Sequence, residues 1–124
     1  MTHSSITNYH ASLLDLPIEK GVIKTDIDGW LQPTEAHFLY KCAYESANIL
    51  ELGPYHGLST SIMAQAKMDS GNVGTITTVD VFSANIEKTK QNVEKIAPDV
   101  KIKYNVDDAI HFVVEQNSLP MRVF

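Results

Sequence analysis

From residue 48 onward the sequence alternates three times between a short apolar run and a longer amphipathic stretch, and few folds accept that order. The runs are "NILEL" (48–52), "TITTVDVF" (75–82) and "VKIKYNV" (100–106), rich in the branched residues that suit a pleated surface. The first is almost continuously apolar, as in a strand buried on both faces, and the third alternates apolar with polar, as at a sheet edge. Between them Leu58, Ile62, Met63 and Ala66 recur at helical spacing. So do Ile86, Lys90, Val93 and Ala97, with Lys90 contributing its stem, Ser83 placed to cap and Pro98 placed to stop the helix. A last helix is expected to turn Ala109, Ile110, Val113 and Val114 inward. Parallel strands need long right-handed connections, which helices supply. The expectation is an α/β chain, a Rossmann-like three-layer α/β/α sandwich on a parallel sheet.

Ahead of this unit, Pro33 and Thr34 open a helix with Ala36, Leu39, Tyr40 and Ala43 on one face, running to about Ser46. Phe38, Tyr40 and Tyr44 are read as core. Residues 1–29 show no sustained period and form a lead-in, leaving residues 30–124 as the domain. "DIDGW" (26–30) lacks the ligand spacing of a calcium loop and reads as a turn.

At 124 residues the chain suits one core. A formal charge of −5 disfavours binding to nucleic-acid phosphates, and no segment is long and apolar enough to span a bilayer. The start "MTHSSITNYH" lacks the pattern of a secretory signal, which makes the cytoplasm the expected compartment. Cys42 stands alone, which excludes an internal disulfide, and is read as buried. The five histidines show no metal spacing, so no metal site is expected.

The stretch "ILELGPYHGLSTS" (49–61) raises the functional question. A strand ends at Gly53, a second glycine follows at 57, and a helix begins. Bare backbone at such a bend lets a ligand lie close, and the helix start offers N–H groups and partial positive charge to an anion. The spacing Gly53-Pro-Tyr-His-Gly57 lacks the second glycine of a dinucleotide fingerprint, and no Gly-Lys-Ser/Thr follows as in a phosphate loop. The ligand need not carry a pyrophosphate. His56 lies inside the loop but reads as solvated rather than catalytic. The run Ser59, Thr60, Ser61 misses G-x-S-x-G and reads as helix-start capping.

Asp80 ends the second run, beside the bend in the expected sheet, where a carboxylate can accept both hydroxyls of a ribose. Helix capping competes with that role. The third run ends in "NVDDA", where Asp107 and Asp108 can cap the next helix or accept an exocyclic amine from an adenine. Three adjacent strand ends would then hold an amino-acid carboxylate, a ribose and an adenine.

That arrangement resembles class I S-adenosylmethionine-dependent methyltransferases, and residues 49–61 look like the first motif of their small-molecule O-methyltransferases, E-x-G-x-Y-x-G-x-S. The resemblance covers residues 49–113, with a looser likeness in "GWLQPTEAHFLYKCA". It implies S-adenosylmethionine as cofactor, Glu51 and Gly53 near its methionine end, Tyr55 and Ser59 on its carboxylate with Gly57 in the same loop, and Asp80 on the ribose. It also implies that Asp108 and Ala109 approach the adenine, with Asp107 replacing the family's glycine. The fold implied is the N-terminal half of a class I methyltransferase, because "MRVF" falls where a fourth strand with an acidic segment would be starting. Catalytic residues therefore stay unassigned. The function implied is methyl transfer to a small molecule, with a non-catalytic cofactor-binding or oligomerisation module as the alternative. Without a fourth strand the first would have an open outer edge, and a homodimer through that edge, or else a fragment of a longer protein, is expected.

Overall fold

A computed structural model describes residues 18–19, 22–23, 27, 29, 31, 33–71, 73–115 and 122–123. Two short strands, β1 (Ile18–Glu19) and β2 (Val22–Ile23), pair antiparallel. There follow α1 (Pro33–Glu45), β3 (Ile49–Leu52), α2 (Leu58–Ser70), β4 (Ile76–Asp80), α3 (Ser83–Ile96), β5 (Ile102–Val106), α4 (Ala109–Glu115) and β6 (Arg122–Val123). The larger sheet has the order β5-β4-β3-β6 with every neighbouring pair parallel. Ile49 aligns with Ile76 and Leu52 with Val79, so the strand ends at Leu52, Asp80 and Val106 lie side by side.

Right-handed crossovers put α2 and α3 on one face and α4, which leads back toward β6, on the other. The Rossmann-like three-layer α/β/α arrangement is met. Its main core lies on the α1–α3 side, where Ala36, Tyr40, Ala43, Ile49, Ile62, Met63, Ile76 and Val93 cluster. Helix α2 runs between α1 and α3, so it buries Thr60, Ser61, Ala64 and Lys67 as well as the expected Leu58, Ile62, Met63 and Ala66. Lys67 donates from Nζ to the carbonyls of Ser46 (2.6 Å) and Ala47, completing the end of α1, and burial lowers its pKa. Gly74 approaches the same corner so closely that an added Cβ would lie 1.5 Å from the Ala47 carbonyl oxygen.

Several sequence expectations are corrected. Phe38 is 68% exposed while Tyr40 and Tyr44 are buried, because Phe38 lies outside the strip of α1 that meets α2. Cys42 is only partly buried. Helix α4 leaves Ile110 (77%), Val113 and Val114 exposed: periodicity identifies an apolar face, but not whether anything covers it. Helix α3 is preceded by Phe82 with no side-chain cap, so Ser83 does not cap it. Its inner face is Ile86, Thr89, Asn92 and Val93, with Ala97 buried just beyond, whereas Lys90 is exposed.

The outer edge of β3 is also not open over its first half. Arg122 and Val123 begin the fourth strand and pair with Ile49 and Leu50. Among the described residues β6 is the outermost strand on that side of the sheet. Of the lead-in and the "DIDGW" turn, most residues lie outside those described. Among the described residues no helix is long and apolar enough to cross a membrane.

Candidate functional site

The bend after β3 is built from inside by Glu51. This side chain is 3% exposed, and its carboxylate accepts hydrogen bonds from Ser59 Oγ (2.6 Å), Thr60 Oγ1 and Thr78 Oγ1 (2.9 Å). Burial raises its pKa, and the three hydroxyls oppose that rise. The hydroxyls tie the end of β3 to the first turn of α2 and to β4. Ser59 and Thr60 thus bond downward to Glu51, and Ser61 bonds to the Leu58 carbonyl, so none of the three caps the helix as expected. The capping position is Gly57, which has no side chain to offer.

The two glycines of the bend do different work. Gly53 has φ 75°, and a Cβ placed on it would meet nothing within 4 Å. Its N–H donates to the Val79 carbonyl at 2.8 Å, which fixes the bend to β4 one residue before Asp80. Gly57 has φ 96°, and a Cβ there would lie 3.1–3.2 Å from Thr89 and Val93 of α3. Gly53 therefore leaves room outward, whereas Gly57 lets two helices close on each other. Of the two glycines only Gly53 has open space where a Cβ would stand.

Tyr55 between them also has positive φ, 55°, an uncommon state for a residue with a bulky side chain. Its ring is half exposed and stacks on His56 with centroids 3.8 Å apart. Beside this loop lies a hollow of about 160 Å³, lined by Gly53, Pro54, Tyr55, Leu58 and Ser59 on one side and by Gly29 and Leu31 on the other. Sites that enclose a whole drug-sized ligand run to roughly 300–1,000 Å³. The hollow suits one end of such a ligand.

Asp80 stands at the end of β4, 9% exposed, on the strand next to the bend. Its Oδ1 accepts the Phe82 N–H (2.9 Å) and its Oδ2 accepts from Asn85 Nδ2 (3.2 Å). It therefore turns the chain into α3 and holds a fixed orientation, with further lone pairs on both oxygens. Asp107 donates its N–H to the Asp80 carbonyl at 3.0 Å, which brings the third strand end alongside. Asp108 caps α4 by accepting the His111 N–H at 3.1 Å, and Ala109 is the first residue of that helix. Asp107 accepts from Asp108 N–H (2.7 Å) and faces His111 Nδ1 (3.1 Å). The histidine holds Asp107 below its usual pKa, and Asp107 raises that of His111.

The fold thus gathers Glu51, Gly53, Tyr55, Gly57 and Ser59 in one bend, sets Asp80 beside it, and places Asp108 and Ala109 one strand further out. Sequence reasoning missed Thr60 and Thr78, which satisfy Glu51, and Asn85, Thr89 and Asn92, which support the site from α3. A visible signal existed for the last three: they fall at i, i+4 and i+7, the spacing of one helix face. Among the described residues no group of three or more His, Cys, Asp or Glu side chains could hold a metal ion.

The architecture and the bend define the class of fold, and solved structures share it. An O-methyltransferase from Bacillus cereus in complex with SAH matches with TM-score 0.58 and 19% identity over 96% of this chain and 49% of that one. The O-methyltransferase TomG from Streptomyces achromogenes, involved in tomaymycin synthesis and solved with SAM, matches with TM-score 0.58 and 18% identity over 94% and 47%. A SAM-dependent methyltransferase from Agrobacterium tumefaciens matches with TM-score 0.58 and 19% identity over 82% and 34%. Neither a protein-family model nor a curated protein matches the chain. The chain shares a Rossmann-like fold with these methyltransferase structures, and it spans about half the length of the first two.

Proposed function

We propose that this chain is the cofactor-binding half of an S-adenosylmethionine-dependent methyltransferase acting on a small molecule. The observation that carries the reading is Gly53: a positive-φ residue with open space where a Cβ would stand, at a strand end bonded to the strand that carries Asp80. The fold likeness to structures solved with SAH and SAM supports the same ligand. When bound, S-adenosylmethionine would supply a sulfonium methyl group: an acceptor atom bonds the methyl carbon as the carbon–sulfur bond breaks, and S-adenosylhomocysteine leaves. In this reading the hollow beside Tyr55 takes the amino-acid end, and the N–H groups of the first turn of α2 face its carboxylate. Asp80 accepts the ribose hydroxyls on lone pairs left by Phe82 and Asn85, and the Asp108–Ala109 corner borders the adenine.

A second reading is a cofactor-binding module without catalysis. Calorimetry with S-adenosylmethionine and S-adenosylhomocysteine tests both readings, and a methyl-transfer assay separates them. Gly53→Val is expected to abolish binding by occupying the open space. Asp80→Ala is expected to weaken it by about 1.5–3 kcal/mol, the range for a charge-assisted hydrogen bond. Unchanged affinity in both variants would move the ligand elsewhere. Self-association, if it proceeds through the sheet, uses the outer side of β6, and sedimentation over a wide concentration range would reveal it.

A further inference from the structure

Helix α3 turns a polar stripe toward the site. Asn85 donates from Nδ2 to Asp80 Oδ2 at 3.2 Å, Thr89 donates from Oγ1 to the Tyr55 carbonyl at 2.9 Å, and Asn92 donates from Nδ2 to the His56 carbonyl at 2.8 Å. Thr89 is fully buried and Asn92 nearly so, in the same face as Ile86 and Val93. Burying a hydroxyl and an amide among apolar neighbours is unfavourable unless each finds a partner. Here both partners are carbonyls of the two residues between Pro54 and Gly57, one of which holds a left-handed backbone. The same helix presses on Gly57 through Thr89 and Val93.

We infer that Asn85, Thr89 and Asn92 are positioning residues that hold the two halves of the cofactor cradle, the bend and the acid at the end of β4, at a fixed separation on one rigid helix. This rests on the reading of the bend as an S-adenosylmethionine site. Residues 85 to 92 span about 10 Å of helix at 1.5 Å per residue, so one element sets both ends. Thr89 and Asn92 act through the Tyr55 and His56 backbone, and Asn85 acts through the Asp80 carboxylate. None of the three needs to touch the ligand.

The experiment combines amide hydrogen exchange on the ligand-free chain with calorimetric titration by S-adenosylhomocysteine. Thr89→Val keeps the volume and removes the hydroxyl. It is expected to speed exchange of the Gly57 amide, which bonds to the Pro54 carbonyl, while β4 amides keep their protection. Affinity should fall roughly three- to tenfold. Thr89→Ser should restore both. Asn85→Ala should weaken the ligand by about threefold, the lower end of the same range, without changing exchange at residues 55–58. Wild-type exchange at 55–58 in Thr89→Val overturns the proposal, as does a loss that serine fails to rescue and that spreads over the whole chain. Failure of the wild-type chain to bind S-adenosylhomocysteine would defeat the cofactor reading instead, and the exchange comparison would still decide whether α3 braces the bend.

Discussion

The bend after β3 and the corner after β5 are made of the same parts, a strand end, acidic residues and a helix start, yet they are assembled in opposite senses. At the bend the acid points inward: Glu51 is buried under three hydroxyls, and the outer surface is left to the bare backbone of Gly53. At the corner the acids stay outside, where Asp108 bonds its own helix and Asp107 bonds His111. A carboxylate buried beneath a turn makes the turn rigid and leaves its outer face free for something else. A carboxylate that caps its own helix spends a lone pair there and stays at the surface.

Removing Glu51 breaks this contrast most directly. Glu51→Ala leaves three hydroxyls without their common acceptor and opens a void, and is expected to cost about 3 kcal/mol or more in urea unfolding. A loss below about 1 kcal/mol would mean that the bend does not depend on its buried acid. Gly57→Ala comes next, at about 1–3 kcal/mol, because the new methyl must push on Thr89 and Val93 at an unfavourable φ. The same change at Gly53 meets no neighbour and retains only the backbone strain, so thermal unfolding of the pair should rank Gly57→Ala as the more damaged. Asp108→Ala removes a cap from a short, exposed helix and is expected to cost about 1 kcal/mol. It should leave S-adenosylhomocysteine binding nearly intact if the corner only borders the ligand; a large loss of affinity would assign Asp108 a direct contact.

The last effect is the response to pH, which has one sign at Glu51 and both signs at the corner. Glu51 has a raised pKa in the folded chain, so the folded state holds the proton more tightly, and stability falls as pH rises from the ordinary glutamate value through the raised one. Asp107 has a lowered pKa, so its contribution is present above the ordinary aspartate value and is lost as pH falls through the lowered one. His111, raised by Asp107, contributes fully below its ordinary value and loses that contribution as pH climbs through the raised one. Unfolding midpoints measured from pH 3 to 8 should therefore lose the fall above the ordinary glutamate value in Glu51→Gln, whereas Asp107→Asn should lose both the gain up to the ordinary aspartate value and the fall above the ordinary histidine value. Identical profiles would show that neither environment perturbs its acid.

Much of the fold could be read before any coordinates. The alternation of "NILEL", "TITTVDVF" and "VKIKYNV" with periodic stretches leads to β3, β4 and β5 joined by α2 and α3, because period 2 and period 3.6 are properties of the local chain. The edge position of β5 was legible from its alternating polarity. What periodicity could not supply was the neighbour. It marks Ile110, Val113 and Val114 as one face of α4 without telling that the face stays uncovered, and it passes over Thr89 and Asn92 because they are polar. The resemblance placed the start of a fourth strand at "MRVF", but its register against Ile49 and Leu50 was not legible, because a strand of two residues has no period to detect.

The candidate site divides in the same way. The sequence alone determined that a glycine bend follows the first strand of the larger sheet and that an aspartate ends the next, since positive φ and chain reversal select for particular residue types. Only the tertiary structure decided that Gly53 opens outward while Gly57 closes on α3, that Ser59 and Thr60 bond down to Glu51, and that three polar side chains of one helix hold the loop and the acid together. A residue type constrains its own backbone. Which atoms fill the space beside it depends on elements up to 36 residues away, and those meet only when the sheet and its helices close.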